Sequence, residues 1–386
     1  MFRFIIFLCL CVFPFSSGNA QQNKEILYAG TFFGTGSEGI YVFEFDRAKG
    51  ELTWIQTVPT LESPTFLAIH PSGKFLYTVN RGPVGEMQNS GSVSAFSIDR
   101  KTGKLTLLNQ RPSYGNGPCH ISIDQTGKWA FISNYQEGNF VVMSLFDDGL
   151  VGSSAGARKH LGYSINAERQ EKPHVHSAVV APDNNFVLVS DLGTDQIHSY
   201  KLDHANGSID DATTPFLKVK PGTGPRHLAF HPNGNFAYSA EELTSTVAVM
   251  EYDKATGALA MKTDSIVSLP ENFKGDNTAA DIHVHPNGKF LYLSNRGHNS
   301  LAIFSIDPSG MIKLIGQQDT KGKIPRNFLI DLKGEFVWVA NQDSNNIVTF
   351  RVDAGTGKLQ YVSNATGIPS PVCLKMLTLG AVGSHQ

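Results

Sequence analysis

The sequence predicts an all-β fold, a seven-bladed β-propeller, and three observations lead to that prediction. A strand–turn–strand pattern returns along the chain at intervals of roughly 46 to 57 residues, the period of a propeller blade. A second pattern, an alternating strand that ends in Asp before a Gly-containing turn, fills the intervals between the copies of the first. Helical periodicity of useful length is absent from the sequence.

The first pattern has six full copies, each with Gly or Asn in its turn. They are SPTFLAIHPSGKFLYTVNR (63–81), GPCHISIDQTGKWAFISNY (117–135), KPHVHSAVVAPDNNFVLVSDL (172–192), GPRHLAFHPNGNFAYSAEEL (224–243), AADIHVHPNGKFLYLSNRG (279–297) and IPRNFLIDLKGEFVWVANQ (324–342). His70, His231 and His285 share the turn position before Pro. Because this position repeats, it favours a structural role over metal binding for all three.

The second pattern has seven copies: IYVFEFDRAKGEL, VSAFSIDRKTGKL, VVMSLFDDGLV, IHSYKLDHANGSI, VAVMEYDKATGAL, LAIFSIDPSGMI and IVTFRVDAGTGKL. The missing seventh copy of the first pattern can be assembled from the two chain ends. Residues 367–376 resemble its first strand and residues 26–31 its second. The C-terminal strand would then join the N-terminal strands in one blade, which closes the ring and leaves no open sheet edge. A linear β-array or two sandwiches is the alternative.

The N-terminal residues predict an export signal. Met1-Phe2-Arg3 supplies a short basic start, residues 4–15 are almost wholly apolar, and residues 16–20 offer small side chains for cleavage after Ala20. Residues 1–20 are therefore expected to be a signal peptide, and residues 21–380 a single propeller domain. We expect an exported protein, periplasmic or released, with no membrane span after cleavage, since no other apolar run is long enough.

Composition excludes several classes. With 32 basic and 34 acidic residues the net charge is −2, and there is no basic block, so a nucleic-acid partner is not expected. Only Cys119 and Cys373 remain after residue 20, too few for a disulfide framework. They fall in non-adjacent repeats, so we do not expect them to pair.

Comparison of equivalent positions in the repeats separates structural residues, which recur in many copies, from candidate functional residues, which differ between copies. Residues near the start of each first strand should face the central channel, and residues just after each second strand should lie at the same end of it. The first column contains Thr65, Cys119, His176, Arg226, Ala280 and Arg326. The second contains Arg81, Tyr135, Leu192, Glu242, Arg296 and Gln342.

These columns gather His176, Arg226, Glu242 and Arg296 from three consecutive blades. An imidazole, a carboxylate and two guanidiniums in a concave opening suit an anionic or oxygen-rich small molecule; an ion pair lining a wet channel is the alternative. His174, His176 and His283 could form a metal site, but no carboxylate or cysteine stands at ligand spacing. We expect no metal and no cofactor.

The chain resembles the seven-bladed propeller lactonase family, which includes 6-phosphogluconolactonase and is related to carboxymuconate lactonising enzyme. The resemblance covers nearly the whole chain after residue 20. It rests on HSAVVAPDN from His176, GPRHLAFHPN, Glu242-Leu243, PENF (270–273) and AADIHVHPNGKFLYLSNR. It implies that the four residues gathered by the columns are catalytic, and we further expect substrate contacts from His120, His227, His283 and Arg326.

The resemblance implies a lactonase that opens a sugar lactone, either 6-phosphogluconolactone-like or an unphosphorylated aldonolactone. Glu242 or His176 would be the general base, and Arg226 and Arg296 would stabilise the oxyanion. The export signal favours a free aldonolactone at least as much as a phosphorylated one. A muconate-type cycloisomerase, or a non-catalytic exported propeller that binds a carbohydrate or protein, is the alternative.

Overall fold

The computed structural model describes residues 24–33, 36–60, 62–82 and 91–380. The expected signal peptide, residues 1–20, lies outside the described residues. The described chain forms 28 β-strands in seven four-stranded antiparallel sheets. No helix that could cross a membrane occurs in these ranges.

Six blades are made of strands that follow one another in the chain. Blade 7 combines the C-terminal strand with the first three.

Blade 7 contributes β1 (Glu25–Thr31), β2 (Gly39–Asp46) and β3 (Glu51–Pro59). Blade 1 has β4 (Ser63–Ile69), β5 (Phe75–Arg81), β6 (Ser92–Ile98) and β7 (Leu105–Pro112). Blade 2 has β8 (Pro118–Ile123), β9 (Trp129–Asn134), β10 (Asn139–Leu145) and β11 (Val151–Lys159). Blade 3 has β12 (Val175–Val180), β13 (Phe186–Asp191), β14 (Gln196–Leu202) and β15 (Ile209–Lys218).

Blade 4 has β16 (Pro225–Phe230), β17 (Phe236–Glu241), β18 (Thr246–Tyr252) and β19 (Leu259–Val267). Blade 5 has β20 (Thr278–Val284), β21 (Phe290–Arg296), β22 (Ser300–Ile306) and β23 (Ile312–Asp319). Blade 6 has β24 (Pro325–Ile330), β25 (Phe336–Asn341), β26 (Asn346–Val352) and β27 (Leu359–Thr366). The remaining strand of blade 7 is β28 (Pro371–Thr378).

The ring closes as the sequence predicts. β28 pairs antiparallel with β1, with Ala29 opposite Leu374, and the strand order of the closing sheet is β28-β1-β2-β3. The all-β, seven-bladed fold class is therefore confirmed. Because the two chain ends share one sheet, the ring is closed by backbone hydrogen bonds rather than by side-chain packing alone.

The repeated Gly of the second pattern has a packing cause. All seven lie at positive φ in a hairpin, and six of them face a side chain at or next to the start of the second strand of the preceding blade; Gly50 faces Val362 instead. Examples are Gly103 against Ile26, Gly149 against Phe75, Gly257 against Phe186 and Gly310 against Phe236. In several blades a buried Tyr hydroxyl also donates to this Gly carbonyl, as Tyr238 does to Gly310 at 3.0 Å. The Gly-containing hairpin therefore packs against the preceding blade and stabilises the interface between neighbouring blades.

The turn histidines serve the same purpose. The Nε2 atoms of His70, His231 and His285 bond the carbonyls of Gly127, Gly288 and Gly334 in the turns of the next blades, at 2.9, 2.9 and 2.8 Å. Their Nδ1 atoms accept backbone N–H groups from their own turns. This agrees with the structural role that the repeat indicates.

Both remaining cysteines are free, as expected. Cys119 and Cys373 are buried on the first strands of blades 2 and 7. Burial raises the pKa of Cys119 to about 11 and that of Cys373 to about 12, so both are protonated near neutral pH. Neither offers a reactive thiolate.

Candidate active site

Glu242 lies where blade 4 meets blade 5, one residue after β17 ends. Its N–H donates to the Gly224 carbonyl at the start of the first strand of its own blade, at 2.8 Å. Its carbonyl accepts the Ala279 N–H of blade 5 at 3.0 Å. These backbone bonds hold the side chain at the end of the channel where first strands begin and second strands end.

Three guanidinium groups surround this carboxylate. Oε2 lies 2.9 Å from Arg226 Nε and 3.2 Å from Arg296 Nη2. Oε1 accepts a hydrogen bond of 2.7 Å from Arg169 Nη2. We call Glu242, Arg169, Arg226, Arg296 and the neighbouring His176 the Glu242 cluster; with three guanidiniums against one carboxylate it carries a net positive charge.

The electrostatics keep Glu242 ionised. Burial acts to raise its pKa, but Arg296, Arg226 and Arg169 outweigh burial and lower the pKa to about 2. Burial, followed by repulsion from Arg296, lowers the pKa of Arg226 to about 10, so it remains charged near neutral pH. Glu242 and Arg226 are therefore both charged near neutral pH.

His176 is the uncharged member of the cluster. Its Nε2 atom lies 4.0 Å from Glu242 Oε2, and its side chain is 6% exposed. Burial, then the charge of Arg226 and the proximity of His227, holds its pKa well below the usual value. A neutral imidazole beside a carboxylate can accept a proton and have the resulting imidazolium stabilised.

The side chains of the cluster differ in how far a ligand can reach them. Arg226 is enclosed, with 2% of its side chain exposed, and its Nη1 donates to the Ala280 carbonyl at 2.5 Å. The side chains of Arg296 and Arg169 are 12% and 39% exposed. Arg226 therefore holds the carboxylate, whereas Arg296 and Arg169 can meet a substrate.

Sequence reasoning missed Arg169. It lies in the long connection between β11 and β12, and its Nη2 also contacts the Tyr135 hydroxyl at 3.3 Å. This connection has no counterpart in the other repeats, so comparison of columns could not select it. Its unusual length was the available signal.

A small pocket adjoins the cluster on the channel axis. It is lined by residues of the two sequence columns together with neighbouring side chains: Phe32, Thr65, Phe66, Arg81, Cys119, Arg226, His227, Arg326 and Val372. The guanidiniums of Arg326 and Arg81 lie 5.0 and 5.9 Å from the centre of the Phe32 ring. No carboxylate lines the pocket among the described residues, so it favours anionic or oxygen-rich ligand groups.

The structure places the other expected substrate contacts unequally. His120 and His227 face each other near the axis, with ring centres 5.5 Å apart, and His227 is 5.3 Å from His176. Arg326 lines the axial pocket. His283 contacts Asp281 at 3.0 Å, and none of the described contacts joins it to the Glu242 cluster.

The histidines weighed as metal ligands do not come together. His174 stacks on Tyr135, and its Nε2 contacts the Glu171 carboxylate. Within the described ranges, the side chains with metal-ligand spacing are instead Asp191 and His198 of blade 3 and His160, which follows β11 of blade 2. In that group His160 bonds Asp191 Oδ2 at 2.8 Å and the Tyr200 hydroxyl at 3.0 Å, so its polar atoms are already satisfied.

Comparison with known proteins gives one consistent family. Residues 26–376 match the family model described as lactonase, 7-bladed beta-propeller. The chain is 35% identical to 6-phosphogluconolactonase of Bacillus subtilis, covering 92% of this chain and 99% of that one.

Two solved structures also have this fold. One is a putative 6-phosphogluconolactonase from Bacteroides fragilis, at TM-score 0.85 and 33% identity over 93% of this chain and 99% of that chain. The other is a periplasmic gluconolactonase from Pseudomonas aeruginosa, at TM-score 0.85 and 29% identity over 92% and 99%.

Proposed function

Because the chain belongs to the seven-bladed β-propeller lactonase family, we propose that it hydrolyses a sugar lactone at the Glu242 cluster. The protein is a lactone hydrolase. We propose which lactone it hydrolyses and which residues carry out the hydrolysis. The observation that carries it is a buried carboxylate, held ionised by three guanidiniums, beside a neutral histidine at the end of the channel.

The attacking water is held between His176 Nε2 and Glu242 Oε2. Their separation of 4.0 Å is too long for a direct hydrogen bond and allows one water to contact both. Glu242 is a weak base because its pKa is about 2. We assign the general base to His176, which takes the proton as the water oxygen bonds to the lactone carbonyl carbon, while Glu242 stabilises the imidazolium.

Arg296 and Arg169 receive the negative charge that develops on the carbonyl oxygen. Preorganised donors of this kind typically contribute about 3–4 kcal/mol each to the transition state. The tetrahedral intermediate then breaks its bond to the ring oxygen, and His176 returns its proton to that leaving alkoxide. The product is the open-chain hydroxy acid.

The axial pocket takes the end of the substrate remote from the carbonyl. Arg81 and Arg326 can bond a phosphate or several hydroxyl groups there. The apolar run and small residues of 1–20 support export, and a periplasmic relative has the same fold. Since sugar phosphates are scarce outside the cytoplasm, we favour an unphosphorylated aldonolactone as the substrate.

Proton release at constant pH tests the proposal. Wild-type protein and the variants Glu242→Gln, His176→Gln and Arg296→Gln would be compared on gluconolactone, 6-phosphogluconolactone and δ-valerolactone, after correction for spontaneous hydrolysis. We expect kcat/KM to fall roughly 100-fold or more in each variant, since each loses a group that acts in the transition state.

Glu251→Gln, on an exposed position of β18, is the matched control and should retain full activity. In the wild type, kcat/KM should decline only below pH 6.5, because His176 must be neutral and its pKa lies below that value. Near-wild-type turnover in Glu242→Gln and His176→Gln would remove the cluster from the mechanism. No turnover of any lactone by the wild type would contradict the function itself.

A further inference from the structure

His227 carries a buried ring nitrogen without a partner. It follows Arg226 on β16, its side chain is 8% exposed, and its Nε2 has no hydrogen-bond partner among the described residues. Leaving such a buried atom unpaired is unfavourable, because it has lost its hydrogen bonds to water without gaining others. A buried, unpaired polar atom beside a candidate active site therefore indicates that a group of the ligand forms the missing hydrogen bond.

The protonation state of this ring is fixed by Asp281. His227 Nδ1 lies 2.7 Å from Asp281 Oδ1, and an ionised carboxylate can only accept, so Nδ1 carries the hydrogen. Asp281 is held in turn by Asn327, by the Phe328 N–H and by His283. Burial, followed by the charge of Arg226, lowers the pKa of His227 to about 4, so near neutral pH its Nε2 presents a lone pair.

His120 provides an internal comparison. It follows Cys119 on the first strand of blade 2, the position that His227 has in blade 4. There Nδ1 accepts the Ala178 N–H of the next blade at 3.4 Å, so the hydrogen lies on Nε2. The scaffold alone therefore gives the opposite tautomer, and Asp281 is what turns His227 into an acceptor.

The acceptor belongs to a pocket rich in donors. His227 lines the axial pocket with Arg81, Arg226 and Arg326, whose guanidiniums can only donate. Thr65 Oγ1 and Cys119 Sγ, which also line it, donate to backbone carbonyls. A hydroxyl group, which donates one hydrogen bond and accepts others, satisfies both His227 Nε2 and a neighbouring guanidinium.

We propose that His227 Nε2 accepts a hydrogen bond from a hydroxyl group of the lactone, and that the enzyme thereby selects polyhydroxylated lactones over lactones with an unsubstituted ring. Asp281 is the positioning residue that fixes the tautomer. This inference rests on the proposed function and identifies the ring hydroxyl groups of the lactone as the feature that the same site recognises. A site built to pair a substrate hydroxyl rejects analogues that lack it, because its own polar group is then left unpaired.

The test compares two six-membered lactones that differ in their hydroxyl groups. Gluconolactone and δ-valerolactone would be hydrolysed by the purified full chain and by His227→Phe, which keeps a ring of similar size without the acceptor. We expect kcat/KM for gluconolactone to fall roughly 10- to 100-fold, with less than a threefold change for δ-valerolactone. Asp281→Asn should shift the ratio of the two in the same direction. His231→Gln, which removes an interblade histidine, should leave the ratio unchanged.

Product binding gives a readout independent of turnover. Calorimetry should show weaker gluconate binding to His227→Phe than to wild type, with no change for 5-hydroxypentanoate. If a folded His227→Phe variant lost kcat/KM equally on both lactones, or kept the wild-type ratio of the two kcat/KM values, the proposal that His227 recognises a substrate hydroxyl would be wrong. If wild type hydrolyses neither lactone, the proposed function fails, whereas equal losses leave that function intact.

Discussion

At the scale of single residues, adjacent carboxyl groups have opposite environments. Glu242 faces three guanidiniums and stays ionised. Its neighbour Glu241 points to the other side of the strand, is fully buried, and neither of its oxygens has a hydrogen-bond partner of good geometry among the described residues. Burial raises the pKa of Glu241 to about 7, and the nearby Thr223 and Ser239 hydroxyls, which act to lower it, offset burial only in part.

This pKa makes the stability of the protein depend on pH. The folded state binds a proton at Glu241 more tightly than the unfolded state does, so the stability associated with this proton is present below about pH 4.5 and is lost as pH rises to about 7. Glu241→Gln removes the titration. We expect the free energy of unfolding of the variant, measured relative to that of the wild type, to increase by about 3 kcal/mol from pH 5 to pH 8.

Urea denaturation at the two pH values measures this gain. Glu251→Gln, at an exposed position, controls for the loss of a carboxylate and should show the same difference from wild type at both pH values. An equal effect of Glu241→Gln at pH 5 and pH 8 would show that the carboxyl is not protonated in the folded state.

At the scale of elements, the hairpin between third and fourth strands joins neighbouring blades. Its Gly lies at positive φ directly against a side chain of the preceding blade, and a Cβ on Gly310 would lie 2.5 Å from Phe236 Cγ. The repeated Gly is therefore required by the interface between blades as well as by the turn.

Gly310→Ala is expected to destabilise the protein by about 2–4 kcal/mol, the sum of backbone strain and overpacking. Gly316 on the following strand β23 is a matched control, since a Cβ there meets nothing within 4 Å. Gly316→Ala should change stability by less than about 0.5 kcal/mol. Urea unfolding of the two variants compares them directly, and equal effects would exclude the contact with Phe236 as the cause.

At the scale of the whole molecule, a charged cluster reinforces the closing blade. Arg47, in the turn after β2 of blade 7, pairs with Glu25 of the same blade at 2.6 Å and with Asp331 of blade 6 at 2.7 Å. It also pairs with Glu335 of blade 6 at 2.5 Å. One guanidinium therefore neutralises two nearly buried carboxylates across the last interface of the ring.

Arg47→Gln leaves those carboxylates without their counter-charge, so we expect a loss of about 2–4 kcal/mol. Lys49→Gln, which removes the exposed pair with Asp46, should cost less than about 1 kcal/mol. Thermal unfolding at neutral pH measures both. A midpoint for Arg47→Gln as high as that for Lys49→Gln would show that backbone pairing of β28 with β1 is sufficient for closure.

The sequence by itself determined the number of blades, the closure through β28 and the gathering of His176, Arg226, Glu242 and Arg296. Periodicity sets these features, because equivalent positions in a closed ring of similar blades must face the same axis. The same argument indicated that His70, His231 and His285 are structural.

Only the tertiary structure decided that Arg169 completes the Glu242 cluster and that Asp281 fixes the tautomer of His227. Arg169 comes from a connection without a repeat counterpart, so no column contains it. The contact of His227 with Asp281 joins residues 54 positions apart, on neighbouring blades. Periodicity places His227 and Asp281 near the axis. The hydrogen bond between them depends on the distance and orientation that the packing of adjacent blades creates.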